Sequence, residues 1–203
     1  TTQTSSSAAS DVYKRQSNIT VLDDGLGIKK DELEKAVLRH TTSKLNSSNL
    51  NCIKTMGFRG EALSSIASVS DFSISSNQKN NSEGYEIKIV SGKVKHVKPI
   101  NQKKGTCVKV RNLFFSTPAR LKFLKSENYE SILIKRLIQN FAIIHFDKEF
   151  NLYLNNKITI KTSLSKDREV KNRFFNRVNQ ILGEDFIENS IDDIKKSSNI
   201  SNP

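Results

Sequence analysis

Two glycine-bearing segments set about thirty residues apart constrain this chain more than anything else in it. Asp23-Asp24-Gly25-Leu26-Gly27 ends a strand-like run on an acid, and Gly57-Phe58-Arg59-Gly60-Glu61-Ala62-Leu63 opens an apolar helix. Glycine carries no Cβ, so in both places the backbone can come close to a ligand. The second segment also presents the unpaired N–H groups of a helix start, which suit an anion. An acid-tipped strand end and an anion-facing turn together describe a nucleotide pocket.

The surrounding pattern reads as strands and helices of an α+β domain. Ile19 and Val21 make a short strand ending at Asp23. Asp31, Glu32 and Glu34 put negative charge in the first turn of a helix that carries Leu33, Ala36 and Val37 at helical spacing. A polar loop follows from His40 to Asn51, and beyond Gly60 the residues Leu63, Ile66 and Ala67 form one apolar stripe. Alternation at Phe72–Ser75, Tyr85–Val90 and Thr106–Val110 predicts antiparallel strands. A longer helix covers about 127–142, with Leu133, Leu137 and Ile138 on one face. Two alternating runs then flank Asn155-Asn156, a hairpin turn. The last predicted helix carries Phe174, Phe175, Val178, Ile181 and Leu182, with Gly183 placed to stop it. Residues 1–16 are rich in Ser, Thr and Ala without periodicity, and read as a non-native or disordered tail.

Composition bears on the partners. The 203 residues suit one domain plus part of another. A formal charge of +12 suits a polyanion such as DNA or nucleotide, although the joint abundance of Lys, Asn and Ile fits a general compositional habit equally well. Cys52 and Cys107 are too few for a disulfide framework and lack metal-type spacing, which points to a reducing cytoplasm. No apolar run has membrane-spanning length, so no membrane partner is expected.

Several side chains are candidates for chemistry, each with a plain alternative. Asp23 can accept a hydrogen bond from an exocyclic amine while Gly25 and Gly27 let a flat base approach; Asp-Gly is also a common tight turn. Thr42, Ser43 and Lys44 offer hydroxyls and an ammonium to phosphates, or form a solvated loop. Phe58 can anchor its loop while Arg59 and backbone amides face an anion. Glu61 satisfies the helix dipole whether or not it has another role. A GxxxxGK[ST] loop is missing, and His40, His96 and His145 share no metal spacing. Leu113 through Arg120 is an apolar turn with a Pro-set bend.

Taken in order, five segments resemble the signature series of the MutL family of DNA mismatch repair proteins, members of the GHKL ATPase group with gyrase B and Hsp90. They are Asp23-Asp24-Gly25-Leu26-Gly27-Ile28, Arg39-His40-Thr41-Thr42-Ser43-Lys44, Gly57 through Leu63, Gly105-Thr106, and Leu113 through Arg120. The likeness is strong over about residues 18–125 and weaker beyond.

The resemblance implies an α+β fold: a GHKL (Bergerat-type) ATPase sandwich whose mixed, mostly antiparallel sheet has helices on one face. It would occupy residues 17–163, lacking its first helix. Residues 164–203 would begin a ribosomal protein S5-like transducer domain, truncated here. ATP and Mg2+ are the implied cofactors. Asp23 would bind the adenine amine, Gly25 and Gly27 would shape that pocket, and Thr106 would lie beside the base. Thr42, Ser43 and Lys44 would belong to the lid and phosphate loops with Gly57, Phe58, Arg59, Gly60, Glu61, Ala62 and Leu63. ATP binding and hydrolysis would drive dimerisation. That switch would couple a MutS-type mismatch recognition protein and mismatched DNA to downstream repair, in the cytoplasm.

One departure stands out. The family's first motif is a helix with a water-activating glutamate and a Mg2+-holding asparagine, expected ahead of Ile19 where the tail-like residues stand. No catalytic base and no metal ligand are therefore assigned, and this chain alone is expected to turn over negligible ATP. Glu188-Asn189-Ser190-Ile191-Asp192 imitates that motif but follows the last helix, and reads as part of the second domain. Two other readings stay open. One is another GHKL ATPase, a topoisomerase subunit or chaperone; the other is a non-enzymatic DNA-binding fragment with purely structural glycine loops.

Overall fold

The computed structural model describes residues 18–38, 60–78, 83–184 and 186. The tail expected at 1–16 and the segment 188–192 lie outside them. The chain divides into two units, one ending at Leu124 and one beginning at Lys125.

In the first unit five strands form one antiparallel sheet. They are β1 (Ile19–Asp23), β2 (Asp71–Asn77), β3 (Gly84–Val90), β4 (Lys93–Ile100) and β5 (Gly105–Arg111), in the spatial order β1-β5-β2-β3-β4. Two helices, α1 (Lys30–Ala36) and α2 (Ala62–Ser68), supply the second layer. The period-2 alternation decides which side they cover. Phe72 and Ile74 of β2, Ile87 and Ile89 of β3, and Val110 of β5 share one face with Leu33 of α1 and Ala67 of α2, all buried. The expected helical stripes thus meet the expected strand faces; Val37, Leu63 and Ile66 are half-buried against the same core. Truncating Leu33 or Phe72 to alanine would cost about 2–5 kcal/mol each.

The end of α2 is bound into the sheet by polar contacts. Ser70 Oγ donates to the Ile66 carbonyl at 2.7 Å. The two-residue turn between β3 and β4, Ser91-Gly92, has both residues at positive φ (47° and 76°), as a tight hairpin requires. Its N–H groups donate to the Ser70 and Ala67 carbonyls at 3.0 Å, satisfying acceptors the helix leaves open. Strand β4 was not among the predicted strands. Its residues alternate lysine with valine and include Pro99, which suits an edge strand protected from further pairing. A four-residue helix, α3 (Pro118–Leu121), overlaps the end of the Leu113–Arg120 segment, with Pro118 in its first turn.

The second unit contains α4 (Glu127–Ile144), the hairpin β6 (Asn151–Leu154) and β7 (Lys157–Lys161), and α5 (Val170–Leu182). Ser126 caps α4 by accepting from the Tyr129 N–H at 3.3 Å. Asn155 and Asn156 adopt φ of 50° and 63°, giving the expected hairpin turn. Gly183 ends α5 at φ 89°, its N–H on the Asn179 carbonyl. The predicted face of α4 differs from the observed one: Leu133 and Leu137 are exposed, while Ala142 is fully buried. Periodicity located this helix without telling which stripe packs.

Arg177 on α5 shows what holds this unit together. It is 1% exposed, and its guanidinium donates to the carbonyls of Ala142 (2.8 Å), His145 (3.3 Å), Lys148 (2.8 Å) and Ser163 (3.4 Å). The planar fork thereby closes the open C-terminal carbonyls of α4 and the strand exit after β7. Burial pushes its pKa down from the ordinary value, opposed by the carboxylates of Glu149 and Asp147. Within this unit α5 packs on α4.

Candidate nucleotide site

Strand β1 brings Asp23 to the end of the sheet, where the chain must turn sharply. The carboxylate shapes that turn itself: Oδ1 accepts from the Gly25 N–H at 2.9 Å and from the Thr106 N–H at 3.2 Å. The first contact is a short-range turn bond, the second a bridge to β5. Among the described residues Oδ2 accepts no hydrogen bond, which leaves one oxygen for a donor outside the chain. The turn reading of Asp23 holds, and it uses only one of the two carboxylate oxygens.

Two glycines allow the chain segments to close on this point. Gly27 sits at φ 75°, and a Cβ there would lie 2.1 Å from the Asn77 carbonyl oxygen. Gly105 sits at φ 119°, and a Cβ there would lie 2.0 Å from the Asp23 carbonyl oxygen. Neither position has room for a side chain.

Register does the rest. Asp23 pairs with Thr106, Thr106 with Ser76, and Ser76 with Tyr85, so four side chains form one row across β1, β5, β2 and β3 on the helix-covered face. Ser76 is 2% exposed and fully engaged. Its Oγ accepts from the Ile28 N–H at 2.8 Å, donates to the Gly105 carbonyl at 3.0 Å, and stands 3.0 Å from Thr106 Oγ1. The Asn77 amide donates to the Gln102 carbonyl at 2.7 Å, and the Gln102 amide to the Gly105 carbonyl at 3.3 Å. Lys30 Nζ lies 4.7 Å over the Tyr85 ring. The glycine turn and the start of β5 are thus knotted together beneath Asp23.

The second glycine segment enters α2. Gly60 has φ 66°, and Glu61 is the residue before the first helical turn, its carbonyl accepting from the Ser65 N–H and from Ser64 Oγ at 3.0 Å each. Ala62 begins the helix. Leu63 packs against the same core as Ile28, the residue following the Asp23–Gly27 turn. The structure thus places Asp23, Gly25, Gly27, Thr106 and Gly60–Leu63 on the helix side of one sheet. Thr42, Ser43, Lys44, Gly57, Phe58 and Arg59 lie outside the described residues.

Ser76, Asn77 and Gln102 were not expected at the site. The only signal in the chain is that an alternating apolar strand, Phe72 to Ile74, ends in the polar pair Ser76-Asn77. The described residues fit an adenine end: a fixed acid with a spare oxygen, backbone without side chains, and a hydroxyl beside it. They contain no cluster of three His, Cys, Asp or Glu side chains suited to a metal. Among them no helix is long and apolar enough to cross a membrane.

Comparison with known proteins gives the chain's relatives. Residues 7–112 match the family described as histidine kinase-, DNA gyrase B-, and HSP90-like ATPase. The DNA mismatch repair protein MutL of Rickettsia bellii is 39% identical over 172 residues, covering 85% of this chain and 28% of that protein. MutL of Rhizobium etli is 42% identical over 173 residues, covering 85% and 27%. The chain therefore spans just over a quarter of the length of these curated relatives. Among solved structures, the Aquifex aeolicus MutL ATPase domain complexed with ADP superposes with a TM-score of 0.65 at 32% identity, over 83% of this chain and 57% of that one. The ATPase region of Saccharomyces cerevisiae topoisomerase II shares the fold at 20% identity, with a TM-score of 0.54 over 81% of this chain and 43% of that one.

Proposed function

Because this chain belongs to the MutL family of histidine kinase-, DNA gyrase B- and HSP90-like ATPases, we propose that it carries the adenine-binding end of an ATP site. Asp23 Oδ2 accepts the exocyclic amine of the base, Gly25 and Gly27 give the ring room, and Thr106 lines its edge. Thr42, Ser43 and Lys44, with Gly57 through Leu63, hold the phosphates and form the lid. Mg2+, held through the phosphates, would neutralise their charge. Residues beyond the sandwich, 164–203, begin the transducer domain.

In the full-length protein, ATP binding and hydrolysis act as a switch. The nucleotide-bound state pairs two copies and passes a signal from a MutS-type mismatch recognition protein to repair of DNA, in the cytoplasm. The family relation and the ADP-bound Aquifex aeolicus relative support this reading.

The observation that carries the proposal is the doubly held carboxylate of Asp23, one oxygen spent on the backbone and one left for a ligand. Calorimetric titration of the chain with ATP at several Mg2+ concentrations tests it. Saturable binding that Asp23→Asn weakens by about 10–100-fold is expected, since a hydrogen bond to a charged group is worth about 1.5–3 kcal/mol. Equal affinity in that variant, or DNA binding with no nucleotide binding, would overturn it.

A further inference from the structure

The N–H that Thr106 gives to Asp23 Oδ1 belongs to the same peptide unit as the Gly105 carbonyl, so the two groups turn together. Gly105 itself does little to fix that plane. At φ 119° it stands where only glycine is at ease, and with no Cβ its backbone has wide freedom to turn. The orientation is set on the carbonyl side instead. Ser76 Oγ donates to that oxygen at 3.0 Å and Gln102 Nε2 at 3.3 Å.

Gln102 is held in place for this contact. It lies in the connection between β4 and β5, where its backbone carbonyl accepts from Asn77 Nδ2 at 2.7 Å. Asn77 ends β2 and is 6% exposed, so the connection is pinned to a buried strand end. The Gln102 amide then spans two strands, meeting the Ser75 carbonyl of β2 at 3.4 Å as well as that of Gly105. Asn101, Lys103 and Lys104 beside it are exposed, and Gln102 alone of the four is half-buried.

The consequence falls on Asp23. With the Gly105–Thr106 plane held, one carboxylate oxygen is fixed by the Gly25 and Thr106 N–H groups, and the other is left in a single direction. If the plane turns, Thr106 withdraws its N–H and the carboxylate keeps only the Gly25 bond. The last torsion of an aspartate is broad, so one bond aims it poorly. A hydrogen bond to a ligand weakens steeply as its angle closes, so aim becomes affinity.

We propose that Gln102 is a positioning residue for adenine recognition, which acts through the Gly105–Thr106 peptide to aim Asp23 Oδ2 at the exocyclic amine of the base. This role rests on the ATP reading of the site and adds a residue to it from outside the glycine segments.

Purine riboside triphosphate, which lacks the amine, separates aim from architecture. In calorimetric titration the wild-type chain should prefer ATP over this analogue by about 10–100-fold, as for a hydrogen bond to a charged group. Gln102→Met keeps the length of the side chain and removes its donor. It should weaken ATP binding by about fivefold, as for one neutral hydrogen bond, and leave the analogue's affinity unchanged. Gln102→Lys, which returns a donor on a long side chain, should restore the preference.

A Gln102→Met chain that keeps the wild-type preference would overturn the proposal. So would one that loses both ligands in equal measure, because a purely structural residue acts on both. Failure of Gln102→Lys to restore the preference also counts against it, since the donor is then not what matters. If the wild-type chain binds ATP and the analogue equally, Asp23 does not read the amine, and the ATP reading itself has failed.

Discussion

The carboxylate of Asp23 and the backbone N–H of Thr106, eighty-three residues apart in sequence, meet at 3.2 Å at the end of two paired strands. That one contact joins the turn that shapes the candidate site to the strand that borders it. It also separates folding from recognition. Asp23→Asn keeps an oxygen for Gly25 and Thr106, so its melting temperature should stay near wild type while ATP affinity falls. Asp23→Ala loses both contacts and should destabilise the chain by about 1–3 kcal/mol as well, measurable by urea titration.

Gly105→Ala should be among the most damaging single-atom changes in the sheet. Its Cβ would lie 2.0 Å from the Asp23 carbonyl oxygen, and the backbone stands at φ 119°. We expect a loss of more than about 2 kcal/mol, combining a backbone collision with strain. Gly183→Ala is the comparison: φ is 89° but nothing lies within 4 Å, so about 1 kcal/mol is expected. Equal effects in thermal melts would refute the collision argument.

Ser76→Ala strips the hydroxyl that links Ile28, Gly105 and Thr106. Leaving the Ile28 N–H without its acceptor should cost about 1–3 kcal/mol. Because the same contact holds the glycine turn, ATP affinity should fall although Ser76 itself is buried. Isothermal titration at a temperature where the variant is folded distinguishes the two effects.

Arg177→Met takes the guanidinium donor from the carbonyls of Ala142 and Lys148, while His145 and Ser163 keep the Lys148 N–H and the Gln180 amide. Leaving a buried acceptor without its donor costs about 1–3 kcal/mol. Hydrogen exchange should accelerate at the end of α4 and through α5, while the protected amides of β2 and β3 keep their rates. Uniform acceleration across both units would count against a local role.

Glu86 sets a pH dependence. Burial raises its pKa, but hydrogen bonds from His96 and Lys98 and their charge outweigh that and hold it below the usual 4.5. A carboxyl depressed in the folded state contributes stability above its unfolded pKa and loses it as pH falls through the folded value. The difference in melting temperature between wild type and Glu86→Gln should therefore be largest near neutrality and shrink below about pH 4.5.

Local chemistry was enough for much of this protein. Leu33 and Ala67 at helical spacing, Phe72 and Ile74 in alternation, Asn155-Asn156 at a hairpin and Gly183 at a helix end all act through their immediate neighbours. Their elements and core positions could therefore be read before any coordinates. The sharp turn after Asp23 was legible for the same reason, as a short acid–glycine segment, and so was the strand that carries Thr106. Strand β4 was not, because lysines and Pro99 hide its alternation, and it is a strand only by pairing with β3. The packed stripe of α4 was not, because periodicity gives a helix several apolar directions and only a neighbour chooses among them. Ser76 and Gln102 belong to the same class. Their meaning comes from strand register, which sets residues tens of positions apart side by side, and register is a property of the assembled sheet.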